Sequence, residues 1–191
     1  MHFSEVVRGM EHRDGVWTAQ VPEEWTQGRS LFGGLQAALA ARAMRELVPA
    51  APLRSLQVAF VAPVPAGAVE VEARLLRAGK SVSQVEARIV AGGQTLCLAL
   101  GVCGMPRSSQ AQLLPAPAAV PEAASIALPA VPGISPGGAA PAPFELPFVP
   151  GLSPSFTQYF KARYLFGGLA MSGSRETRQV IADELHRETG L

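Results

Sequence analysis

The chain has 191 residues, 48% hydrophobic and 16% charged, with 16 Lys and Arg against 15 Asp and Glu for a net charge of +1. A core needs about 100 residues, so this length allows one full domain with an extension or two small domains. The even charge balance offers no electrostatic case for nucleic acid or an anionic membrane, and neither a long apolar run nor a signal-like start is present, so the expectation is a soluble, untargeted, cytoplasmic protein.

Residues 3–21, FSEVVRGMEHRDGVWTAQV, predict two short strands around Arg13-Asp14-Gly15, a hairpin signal. From Trp25 to Pro49 a glycine-punctuated loop feeds one long helix. Ser30 is the expected N-cap, Leu35, Ala38, Leu39, Arg42, Ala43, Met44 and Leu47 form the buried side, and Pro49 ends the helix. Gly33, Gly34, Ala37, Ala38, Ala40, Ala41 and Ala43 carry so little bulk that a sheet can approach closely and wrap this helix.

Residues 53–104 hold four runs of period-two alternation separated by turn signals. In the first, Leu56, Val58, Phe60 and Ala62 lie on one face and Ser55, Gln57, Ala59 and Val61 on the other, which predicts a central strand, stopped by Pro63 and Pro65. In the second, Val69, Val71, Ala73 and Leu75 point inward against Glu70, Glu72 and Arg74; after the turn Ala78-Gly79-Lys80, Val85, Ala87 and Ile89 do so against Gln84, Glu86 and Arg88. The last strand has a small face of Cys97, Ala99, Gly101 and Cys103, complementary to the small-residue helix, which predicts that the two are near neighbours. Cys97 and Cys103 lie too far apart along one strand face to bridge and lack zinc-ligand company, so both read as buried free thiols.

Residues 105–154 hold most of the seventeen prolines and no periodicity, and read as a semi-rigid linker. Beyond it FTQYFKARYLFGG predicts a strand that lacks a companion, and SRETRQVIADELHRETGL predicts a short amphipathic helix with Val180, Ile181 and Leu185 on one side. The expected division is a domain over 1–104, the linker over 105–154 and a remnant over 155–191.

The segments GRSLFGGLQAALAARAM and PLRSLQVAFVAPVPAGAVEVEARLLRAGKSVSQVEARIVAGGQTLCLALGVCG together resemble the N-terminal half of TesB-like, double-hotdog acyl-CoA thioesterases. FTQYFKARYLFGGLAMSGS is similar to the opening of their second half, after which the resemblance stops. It implies an α+β hotdog fold, a curled antiparallel sheet around one central helix with an incomplete second hotdog, and hydrolysis of acyl-CoA thioesters. A homodimer or higher homo-oligomer would supply the missing surface, and no cofactor is implied, coenzyme A entering as part of the substrate. In the family the water-activating Asp, Thr or Ser, and Gln belong to the second half and cannot be transferred to this chain; by pseudo-repeat only Ser55 falls near the position of the Thr. The activity of the chain is therefore open, the alternative being a non-catalytic acyl or CoA binder, or a half-subunit that needs a partner.

Thioester hydrolysis without a covalent nucleophile needs an activated water and donors aimed at the thioester oxygen. The helix start offers the backbone N–H groups of Gly33 and Gly34 as such donors, against the plainer reading that the glycines only allow tight packing. Gln36 is a candidate to orient a water, or else a cap on an internal strand end. Phe32, Ser55, Phe60 and Lys80 are the candidate substrate contacts, with Lys80, Arg77 and Arg29 candidate partners for the coenzyme A phosphates. No carboxylate stands out as a general base. Asp14 and Asp183 fall in a turn and the tail, Glu70, Glu72 and Glu86 on outward strand faces, and Glu46 at the far helix end. His2, His12 and His186 are terminal or in turns, which counts against a hydratase, and no metal site is expected.

Overall fold

The computed structural model describes residues 1–108, 144–167 and 179–185. Most of the expected linker, 109–143, and residues 168–178 and 186–191 of the expected remnant lie outside the described residues.

The first unit comprises residues 1–108 together with Pro154–Phe156. It opens with a helix where a strand is expected, α1 (Phe3–Arg8). Phe3, Val6, Val7 and Met10 keep a helical spacing over too short a window to outweigh the β-branched pair, and the Glu5 carboxylate accepts the His2 N–H at 2.6 Å. The predicted hairpin follows as β1 (Glu11–Arg13) and β2 (Val16–Val21), with Asp14 at φ 51° and Gly15 at φ 83° in the two-residue turn. A two-residue hairpin, β3 (Thr26–Gln27) and β4 (Ser30–Leu31), then leads into α2 (Gly33–Leu47).

Ser30 does not cap α2. Its Oγ is engaged by the Val64 N–H at 3.2 Å, and the helix begins after Phe32, whose carbonyl accepts from Leu35 and Gln36. The buried side is Leu35, Gln36, Leu39, Ala40, Ala43 and Met44, a face rotated from the expected one. Ala38 and Arg42 are half-buried and Leu47 is exposed; Arg42 lies 5.4 Å over the ring of Trp17 on β2 and pairs with Glu46.

The long strands β5 (Leu53–Phe60), β6 (Gly67–Ala78), β7 (Val82–Ala91) and β8 (Gln94–Gly104) join β1 and β2 in one antiparallel sheet of order β1-β2-β6-β7-β8-β5. β5 is therefore an edge strand, not a central one. β6, β7 and β8 form a consecutive meander that leaves β5 one partner, so Leu56 and Val58 stay half-buried and Phe60 is exposed. Helix α2 packs on the inner face against β6, β7, β8 and β5.

The predicted inward residues Val69, Val71, Val85, Ala87 and Ile89 are buried, whereas Leu75 emerges where a bulge shifts the β6–β7 register between Leu75 and Arg77. The small face of β8 meets the helix as expected: Cys97, Ala99, Gly101 and Cys103 are buried. A Cβ built on Gly101 would lie 2.9 Å from Met44 Sδ, 2.9 Å from Val85 Cγ2 and 3.1 Å from Leu53 Cδ1. Gly101→Val should overpack this junction and destabilise the fold by about 1–3 kcal/mol, read as a lower midpoint in urea denaturation. Both cysteines are free and buried, and burial pushes the Cys97 thiol up to about 11.

Glu86 is the exception to solvated outward carboxylates. It is buried on the outer face of the sheet, held by Arg74 at 3.0 Å and Arg88 at 2.7 Å. The Arg74 hydrogen bond lowers its pKa most, burial opposes, and Arg88 adds to the lowering. A carboxyl with a depressed folded-state pKa adds stability above its unfolded value and loses it as pH falls through the folded one. Glu86→Gln should therefore weaken the fold at neutral pH and flatten its stability loss below about pH 4.5, checked by denaturation across pH.

The second unit contains a three-stranded antiparallel sheet of order β11-β10-β9, with β9 (Phe144–Leu146), β10 (Phe160–Gly167) and β11 (Gln179–Leu185). A 3-10 turn over Ser155–Tyr159 delays the predicted strand to Phe160. The expected tail helix is strand β11, and the strand expected to lack a companion has two, including β9 from within the stretch read as linker. The residues of β11 fit helical spacing better than alternation, since Val180 and Ile181 are adjacent, and pairing with β10 overrides that preference.

Candidate functional site

The start of α2 is held by backbone. Trp25 is fully buried, its Nε1 donates to the Met1 carbonyl at 2.9 Å, and its own carbonyl receives the Phe32 N–H at 2.8 Å. Leu31 N–H donates to Val64 at 2.7 Å, which ties this loop to the segment leaving β5. Consequently the first turn of the helix sits beside the end of β5. A Cβ built on Gly33 would lie 2.8 Å from the Phe60 ring, and one on Gly34 would lie 2.5 Å from the Phe32 ring.

The Phe60 and Phe32 rings occupy the space over Gly33 and Gly34, so a side chain at either position would have to displace a ring. Phe32 supplies no polar side-chain cap, and among the described residues no hydrogen bond engages the Gly33 or Gly34 N–H. Two free donors at the positive end of a fifteen-residue helix dipole are suited to an oxygen that gains negative charge.

Gln36 lies one turn on and is only 2% exposed. Both readings of this residue meet in its amide. Nε2 donates to the Leu31 carbonyl at 2.7 Å, capping the end of β4, while Oε1 is buried without a partner. A buried acceptor left empty is costly unless water or a ligand fills it.

Phe32, Gly33, Gly34, Gln36 and Phe60 thus come together. Ser55 and Lys80 do not join them. Ser55 opposes Val102, on the sheet face away from α2, since its neighbour Leu56 opposes Gly101 on the helix side. Lys80 lies in the β6–β7 turn at the Gly104 end of the sheet, whereas Phe60 opposes Cys97. Seven residues separate those positions along β8, roughly 23 Å at strand rise. Arg77 goes with Lys80, and Arg29, exposed in the β3–β4 turn two residues before Leu31, is the basic residue near the glycines.

No carboxylate of the described residues is shown meeting this end of α2. Glu46 is at the far end of the helix and Glu86 is bound by two arginines on the opposite sheet face. Among the described residues no group of three His, Cys, Asp or Glu is arranged to hold a metal ion, and no helix is long and apolar enough to cross a membrane.

One site residue escapes sequence reasoning. Phe156 belongs to the first unit and stacks on Phe32 with ring centroids 4.1 Å apart at 11°. More than a hundred residues separate the two rings in the chain, and no local pattern announces their contact.

Residues 21–104 match the model of the acyl-CoA thioesterase N-terminal domain family. A hotdog-fold protein of unknown function from Alicyclobacillus acidocaldarius superposes with a TM-score of 0.62 at 20% identity, covering 88% of this chain and 57% of its own. A candidate thioesterase II from Thermobifida fusca gives 0.59 at 15% identity, covering 85% and 53%. The chain thus spans little more than half the length of these two structures. No curated protein matches the sequence. The sheet around α2 is a hotdog fold.

Proposed function

We propose that the protein hydrolyses acyl-CoA thioesters to free acid and CoA at the first turn of α2. The observation that carries this reading is the pair of unengaged N–H groups on Gly33 and Gly34, with the unpaired buried Oε1 of Gln36 one turn along the same helix. The thioester carbonyl oxygen accepts from the two glycines, whose alignment stabilises the oxyanion of the tetrahedral intermediate. Gln36 Oε1 accepts a hydrogen bond from the attacking water and so orients it. The tetrahedral intermediate collapses with cleavage of the C–S bond, and the departing CoA thiolate takes up the proton given up by the water, leaving free acid and CoA. Phe60 and Phe32 flank the reacting carbon, and Arg29 is placed to meet a CoA phosphate at the rim.

A second copy pairing along the open edge of β5 makes the homodimer and brings further residues to this end of the sheet. The β9–β11 sheet corresponds to part of a second hotdog, in the TesB-like manner. Buried free thiols fit a reducing, cytoplasmic location.

The lack of a carboxylate shown near this helix start among the described residues favours one competing reading, a non-catalytic acyl-CoA binder. A panel of acyl-CoAs of increasing chain length, followed by thiol release, separates the two. Turnover of at least one member is expected. Binding of a non-hydrolysable acyl-CoA by calorimetry with no turnover of any substrate would replace the enzyme with the binder.

A further inference from the structure

We infer that Phe156 is a positioning residue that sets the acyl selectivity of the α2 site, an inference that rests on the thioesterase reading. The ring of Phe32 folds back over its own helix onto Gly34, and Phe156 stacks flat against that ring. On the other side, the Phe60 ring closes on Gly33. Phe60 is 60% exposed and comes from an edge strand, so its wall can yield. Phe32 is clamped between Gly34 and Phe156, so its wall is fixed.

A thioester oxygen held by the Gly33 and Gly34 N–H groups places its carbonyl carbon and the next acyl carbon between these walls. An unbranched acyl carbon fits beside the fixed ring. A methyl branch on that carbon pushes against Phe32, which cannot retreat while Phe156 backs it. The preferred substrates are accordingly acyl-CoAs unbranched next to the carbonyl, and Phe156 enforces the preference without touching the reacting atoms.

The test compares wild type, Phe156→Ala and Phe156→Tyr using butanoyl-CoA and 2-methylbutanoyl-CoA, with amide hydrogen exchange over residues 31–37 read in parallel. Phe156→Ala should lower the straight-to-branched kcat/KM ratio about tenfold, in line with the discrimination expected for one carbon in an apolar pocket. It should also speed exchange at Gly33 and Gly34, and Phe156→Tyr, which keeps the stack, should restore both. Unchanged exchange in Phe156→Ala, or faster exchange with an unchanged ratio, would overturn the inference. If the wild type turns over no acyl-CoA of the chain-length panel, these two included, while exchange quickens in Phe156→Ala and recovers in Phe156→Tyr, the thioesterase reading falls and the hold of Phe156 on Phe32 stands.

Discussion

Gln36→Met should cost about a hundredfold in kcat for acyl-CoA hydrolysis and change stability by less than about 1 kcal/mol, a combination that a structural role for Gln36 does not produce. The catalytic figure is the low end of what a positioned proton-transfer or water-orienting group contributes. The small stability effect follows from the two ends of the amide. Methionine loses the hydrogen bond from Nε2 to Leu31, which leaves one carbonyl short of a partner. It also removes Oε1, a buried acceptor that the folded protein leaves unpaired, and it fills nearly the same volume with apolar atoms. Steady-state thiol release and urea denaturation on the same preparation check both halves. A stable variant with wild-type kcat would remove Gln36 from the chemistry, and a loss of several kcal/mol would make it a structural cap alone.

Trp25→Ala carries the largest expected loss of stability, about 3–5 kcal/mol, from the cavity left by a fully buried indole. The ring packs against Phe3 at 5.8 Å and donates to Met1, so its removal also loosens the N-terminal helix. Because the Trp25 carbonyl holds the Phe32 N–H, activity at 25 °C should fall with stability, unlike in Gln36→Met. Thermal denaturation and thiol release measured together give the result; retention of the wild-type melting temperature would show that the loop is not anchored as described.

The helix and the β6–β8 meander were legible because their periods, 3.6 and 2, run over many residues and their turns carry Gly92-Gly93 or Gly79. The small residues of α2 and of the β8 face point to neighbours, and α2 does pack on β8, but Gly101 makes room for the larger Met44 and not for an alanine. Strand order was not legible. Whether β5 lies at the centre or the edge depends on where the chain re-enters the sheet after α2, and the residues of its two faces do not record it. In β11 the spacing of Val180, Ile181 and Leu185 favours a helix, and only pairing with β10 makes the segment a strand.

The site divides in the same way. Gly33, Gly34 and Gln36 are local to one helix start and could be read together, and Phe60 joins them through its strand end. Residue kind alone suggests Ser55 and Lys80, and register sends the first to the other sheet face and the second to the far end. The half-filled amide of Gln36 needs coordinates to be seen at all, as does the ring of Phe156 behind Phe32.

The most direct measurement is the amide spectrum of 15N-labelled protein titrated with a non-hydrolysable acyl-CoA in which a ketone replaces the thioester. The Gly33 and Gly34 resonances should shift most, as their N–H groups take up the carbonyl oxygen. Saturable binding that leaves both resonances unmoved would contradict the placement of the reaction at the head of α2.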